Sequence, residues 1–93
     1  MLREELIKHK WTYIPESKYW RKLGVIFRDV DRMSHHYSVY FSDTLSSYVH
    51  APNLYELERH IKMGVSTIFS NKKYQAGLST KQKRTLKNWL YVN

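Results

Sequence analysis

The sequence predicts an α+β fold: a short N-terminal helix, a three-stranded antiparallel sheet, then two C-terminal helices, the first packed on the sheet. Three observations carry that prediction. Two central segments alternate apolar and polar residues with period two, the mark of strands with one buried face. Directly after the strand region, Leu54, Leu57, Ile61, Val65 and Ile68 recur at spacings of three and four, as on an amphipathic helix. A helix-capping signal near the C-terminal end then opens one more helix. Ninety-three residues suffice for one small core, so residues 1–93 are expected to form a single domain.

The elements follow in order. Leu2 to Lys10 sets Leu2 and Leu6 four apart, with Glu4 and Glu5 placed to suit the positive end of a helix dipole. Trp11 to Ile14 is β-prone, and Pro15, Glu16 and Ser17 read as a turn. Leu23 to Val30 is the first strand: Leu23, Val25 and Phe27 fall on one face, Lys22, Ile26 and Arg28 on the other. In Tyr37 to Ser42, Tyr37, Val39 and Phe41 alternate with Ser38, Tyr40 and Ser42. Asp31 to His36 is the polar loop between these strands. Ser46 to Ala51 is the third strand, with Val49 inward and Tyr48 and His50 outward.

Asn53 and Glu56 match a capping box, which starts a helix running to about Phe69. Gly64 is a mild weakness in its middle, and Asn71 is a left-handed exit residue. Ser79 and Gln82 form the second capping-box pattern, for a helix over Thr80 to Tyr91 with Leu86, Trp89 and Leu90 on one arc. Lys81, Lys83, Arg84 and Lys87 take the remaining arc.

Charge separates the two parts of the chain. Through Glu58 eight acidic and eight basic residues balance. Beyond Glu58 no Asp or Glu occurs, only Arg59, Lys62, Lys72, Lys73, Lys81, Lys83, Arg84 and Lys87, which account for the whole formal charge of +8. Solvated faces usually mix both signs, so an all-cation region points to a polyanion, chiefly nucleic acid. Those eight residues are the candidate phosphate contacts, giving sequence-independent affinity by counterion release.

A second hint comes from the strands. Arg28, Tyr40, Tyr48 and His50 share the sheet face opposite the helix, where rings beside cations stack on bases or read a groove. The competing arrangement has the first helix, or Trp11 and Tyr13, cover that face. Eight Tyr, three Trp and three Phe need burial somewhere, which favours the covered arrangement.

Other chemistries find little support. The chain has no Cys, hence no disulfide and no cysteine zinc site. His35 and His36 are adjacent and point apart, no HExxH spacing occurs, and a polar hairpin loop explains them. Asp29 and Asp31 would suit a metal-dependent nuclease only with further acids at a characteristic spacing. Gly24, Gly64 and Gly77 are too isolated for a phosphate loop. No catalytic, cofactor or metal site is predicted. Met1 to Lys10 lacks the apolar run of a signal peptide and nothing resembles a membrane span, so a cytoplasmic protein without a membrane partner is expected.

In element order, Leu23 to Phe69 is similar to the AP2-type and integrase arm-binding DNA domains, and also to the HicB-type antitoxin domain. The resemblance is one of topology over about half the chain, and the likeness to the AP2-type and integrase domains implies a sheet that enters the major groove. The double-stranded-RNA-binding domain shares a helix–three strands–helix order, but its final helix opens with lysines where this one opens with Glu56 and Glu58. Ala76-Gly77-Leu78-Ser79 resembles a helix-turn-helix turn. There Lys83 stands where an apolar residue is needed and Lys73 where a small one is, so it reads as a helix cap. No family is assigned.

The expected function is a non-enzymatic nucleic-acid-binding protein that docks its basic C-terminal helices on phosphates. The alternative is a small inhibitor or accessory factor of phage or mobile-element type, binding a nucleic-acid-handling protein through a flat aromatic patch of Trp11, Tyr19 and Trp20.

Overall fold

The computed structural model describes residues 1–31 and 33–92, and it builds its sheet from five strands rather than three. In chain order the elements are α1 (Arg3–Lys8), β1 (Thr12–Ile14), β2 (Tyr19–Lys22), β3 (Val25–Asp31), β4 (His36–Tyr40), β5 (Ser46–His50), α2 (Leu54–Ser70), α3 (Lys72–Gln75) and α4 (Thr80–Lys87). A single 3-10 turn, Asn88–Tyr91, follows α4. The strands form an antiparallel meander in sequence order. The α+β class holds; the three-stranded sheet and the three-helix count are corrected.

The added strands come from two local events. After β1, Pro15 to Lys18 closes a tight loop in which the Lys18 N–H donates to the Ile14 carbonyl at 2.8 Å, with Lys18 at φ 60°. After β2, Leu23 and Gly24 make a two-residue turn with φ of 46° and 80°. Two positive φ values are the geometry of a hairpin turn whose twist matches its strands, and Gly at the second position suits it. Leu at the first does not, because a branched side chain crowds its own backbone there. A distant contact offsets the cost: Trp89 Nε1–H donates to the Leu23 carbonyl at 3.2 Å. Leu23 is therefore a turn residue, and β3 begins at Val25.

That turn reverses one side chain. Lys22 pairs with Val25 in register, so it lies on the helix side of the sheet instead of beside Ile26 and Arg28. There its ammonium donates to Glu58 of α2 at 2.7 Å, and Trp11 Nε1–H donates to the same oxygen at 2.9 Å. Lys22 Nζ also lies 5.9 Å and 5.2 Å from the Trp11 and Trp89 ring centroids, positions that favour a cation.

The core lies between the sheet and α2. Val25, Phe27, Tyr37 and Val39 are buried toward Leu57, Ile61 and Val65, with Trp11 and Trp89 beside them. Helix α1 ends when Lys10 turns left-handed (φ 74°) and Trp11 N–H donates to Leu6 carbonyl at 2.9 Å. This closing loop brings Leu6 and Trp11 together and delivers the indole to the core. Burial lifts the Tyr37 hydroxyl above its ordinary value of 10.0, and the Asp29 charge adds to that shift.

Three capping expectations resolve differently. Asn53 accepts from Glu56 N–H at 2.9 Å, but the Glu56 carboxylate turns to Arg59 rather than back to the cap. Asn71 is extended, not left-handed, and caps α3 by accepting from Lys73 N–H. Ser79 and Gln82 form both halves of their capping box. The last helix tightens into the 3-10 turn at Asn88, so α4 is shorter than the range 80–91.

Gly64 is a packing requirement, not a weakness. A Cβ there would lie 2.6 Å from Phe41 Cζ, and Phe41 is itself buried. Helix propensity favours Ala by about 1 kcal/mol, whereas overpacking a filled core costs about 1–3 kcal/mol. Gly64→Ala is thus expected to destabilise by about 1 kcal/mol, lowering the melting temperature by roughly 4–8 °C. Thermal unfolding followed by circular dichroism checks this; a raised melting temperature would mean the Phe41 ring gives way freely.

Candidate nucleic-acid interface

The eight cations beyond Glu58 divide into two groups. Arg59 pairs with Glu56 at 3.2 Å, and Lys62 Nζ donates to the Val92 carbonyl at 2.7 Å. Both line a hollow on the outer side of α2 with Tyr55, Glu58 and Val92. Lys72, Lys73, Lys81, Arg84 and Lys87 are exposed and Lys83 is half-buried. Among the described residues none of these six forms an ion pair.

The six gather at one end of the sheet. A meander places its β2–β3 and β4–β5 turns together, and α3 and α4 meet both. Tyr74 of α3 lines a hollow with Ser46 and Ser47 of β5. A Cβ built on Gly77 would lie 3.3 Å from Thr44 Oγ1, and one on Gly24 would lie 3.1 Å from Thr85 Cγ2 of α4. Asp43 is the acid carried in the turns at this end. Glu16, Asp29 and Asp31 lie in or beside the turns at the other. Lys18 shares the β1–β2 turn with Glu16, so the far end mixes both signs, whereas α3 and α4 bring six cations and no acid to this end.

The sheet's second face is open. In register, Arg21 pairs with Ile26, Ile26 with Tyr40, Arg28 with Ser38, Ser38 with Tyr48, and His36 with His50. All of these point away from the buried Val25, Phe27, Tyr37 and Val39. Arg21, Arg28, Tyr48 and His50 are exposed, with Tyr48 at 65%. This corrects the favoured expectation that α1, Trp11 or Tyr13 covers the face. Trp11 is buried on the helix side, its ring 4.8 Å from Phe27 and 5.7 Å from Trp89. Tyr13 packs on Trp20 at 5.0 Å, with the Arg3 guanidinium over both rings. Helix α1 and both aromatics thus thicken the core on the helix side and leave the opposite face to solvent.

Two aromatic pads stand on the open face. Tyr19 and Tyr40, from strands on either side of β3, meet edge-to-face at 5.8 Å. His36 stacks on Tyr48 at 5.1 Å and 13°, and its ring lies 4.9 Å from His50. Arg28 and Ser38 lie between the pads. Next to the tyrosine pad, Tyr19, Ile26, Tyr40 and Asp43 line a hollow of about 380 Å³ together with Gln82 of α4. Lys81 and Thr85 line the adjoining hollow at Gly24. The open face and the cationic helix therefore share a border.

Tyr19, Arg21 and His36 were not among the predicted contacts. Tyr19 and Arg21 belong to β2, which the alternation pattern did not reveal, and His36 was read as loop. Of the aromatic patch proposed for a protein partner, Trp11 is buried, Trp20 faces the helices and Tyr19 faces away from them, so these three form no common surface. Asp29 and Asp31 have local roles. Asp29 accepts from Asp31 N–H, and Asp31 accepts from Met33 and Ser34 N–H groups. The Ser34 hydroxyl and those backbone donors hold the Asp31 carboxyl below its ordinary 3.8. His36 Nδ1 lies 2.6 Å from Ser34 Oγ. Among the described residues no helix is long and apolar enough to cross a membrane. No family model, curated protein or solved structure shows significant similarity to this chain.

Proposed function

We propose that this is a non-enzymatic nucleic-acid-binding protein, acting in the cytoplasm, whose α3–α4 surface docks on phosphates. One observation carries the proposal: α3 and α4, whose six cations have no ion-pair partners among the described residues, meet the β2–β3 and β4–β5 turns, and Lys81 lines a hollow beside the open face. Unpaired cations attract a polyanion, and each phosphate they neutralise releases condensed counterions. Arg59 and Lys62, already engaged by Glu56 and Val92, contribute less. The alternative of a protein-binding accessory factor has lost the aromatic patch that would have supported it.

The test is a salt titration of binding to a labelled oligonucleotide, read by fluorescence anisotropy. If all six cations engage phosphates, log K falls against log salt with a slope of about −4 to −5. A slope near zero, or no binding at low salt, overturns the proposal.

A further inference from the structure

The geometry points to a single-stranded polynucleotide, not a duplex groove, as the occupant of the open sheet face. This rests on the nucleic-acid reading above and narrows it. Width decides first. Five strands span about 19 Å between the outermost backbones, whereas the major groove is about 12 Å wide and admits a helix or a two-stranded ribbon. A three-stranded sheet of the AP2 kind fits that groove; this sheet, lying flat, does not.

The side chains decide second. A duplex keeps its bases stacked on one another, so exposed rings find no free base face there. A single strand splays its bases, and aromatic side chains bind them with little regard to sequence. Tyr48, 65% exposed and backed by His36 at 13°, is such a platform. From it a diagonal crosses Arg28 on β3 to the Tyr40–Tyr19 pair and then reaches Lys81 at the start of α4. The two register rows along this path, from Thr12 to Ser46 and from Ile14 to Tyr48, contain no acidic residue. Carboxylates flank the path at its two ends, Asp31 opposite His36 and Asp43 beside the tyrosine pair, while the rows between them carry Arg21 and Arg28 without an acid. The path crosses four strands, a span on which other sheets stack two or three bases.

The test compares three probes of equal length at low salt: oligo(dT), oligo(rU) and a hairpin duplex. Wild type is expected to bind oligo(dT) or oligo(rU) at least tenfold more tightly than the duplex. Tyr48→Ala is expected to lose about tenfold toward the preferred single strand and nothing toward the duplex. Tyr48→Phe is expected to keep its affinity, because stacking needs the ring and not the hydroxyl. An equal melting temperature for the variants confirms that the fold is intact. Duplex binding as tight as single-strand binding, or an unchanged single-strand affinity in Tyr48→Ala, overturns this inference while the phosphate-docking proposal stands. Binding to none of the probes overturns both.

Discussion

Replacing Glu58 by alanine is expected to lower the melting temperature by roughly 15–30 °C. Glu58 accepts from both Lys22 Nζ and Trp11 Nε1, and the side chains of Lys22 and Glu58 are only 10% and 13% exposed. Removing the carboxylate leaves the Lys22 ammonium beside the Trp11 and Trp89 rings, and the Trp11 indole N–H, without that acceptor and nearly without water. Breaking one partner of a buried pair costs about 3–5 kcal/mol, and each kcal/mol is worth about 4–8 °C in a domain of this size. Glu58→Gln keeps an acceptor oxygen and should cost clearly less. The double variant Lys22→Met/Glu58→Leu removes both charges and should recover much of the loss, because an apolar replacement avoids the desolvation of two ions. Calorimetry on the three variants measures this. If Glu58→Ala falls by less than 5 °C, the pair is solvated in solution and is not a determinant of the fold.

The charge-reversed variant Lys81→Glu/Arg84→Glu/Lys87→Glu is expected to lose at least a hundredfold in affinity for any oligonucleotide at low salt. All three side chains are exposed and unpaired among the described residues, so reversal perturbs the field without disturbing packing. Three phosphate contacts disappear, and the salt slope should shrink to about −2 to −3. The melting temperature should change little, since exposed charges away from buried networks are worth a few tenths of a kcal/mol. Arg59→Glu/Lys62→Glu is the control. Those side chains are held by Glu56 and Val92, so its loss of affinity should be far smaller. Equal losses in the two variants would show that total charge, not the α3–α4 surface, governs binding.

The contrast between these variants follows the division between what the chain announces locally and what it hides. Helix α2 was legible because Leu54, Leu57, Ile61, Val65 and Ile68 repeat along the chain and Asn53 caps it. Strands β3 to β5 were legible because alternation is local as well, and the outward placement of Arg28, Tyr40 and Tyr48 followed from it. Strand β2 was not. Tyr19 to Lys22 runs into Leu23 and Gly24 without the Asn-Gly or Asp-Gly signal of such a turn. Leu23 instead continues the apolar alternation of the next strand. Reading through it put Lys22 on the wrong face and left the β1–β2 hairpin unseen. The sheet came out two strands short, and a three-stranded groove reader looked admissible.

By itself, then, the amino-acid sequence determined the α+β class, the amphipathic helix on the sheet, the alternating faces of the central strands and the one-sided distribution of charge. Each depends on residues within a few positions of one another. Only the tertiary structure decided that the sheet has five strands, that its aromatic face is open, and which of the eight cations find partners among the described residues. Those outcomes rest on partners far apart in the chain: Trp89 holding the Leu23 turn, Glu58 drawing Lys22 inward, and Val92 engaging Lys62. Contacts across such separations form only when the core has assembled, and no local pattern encodes them.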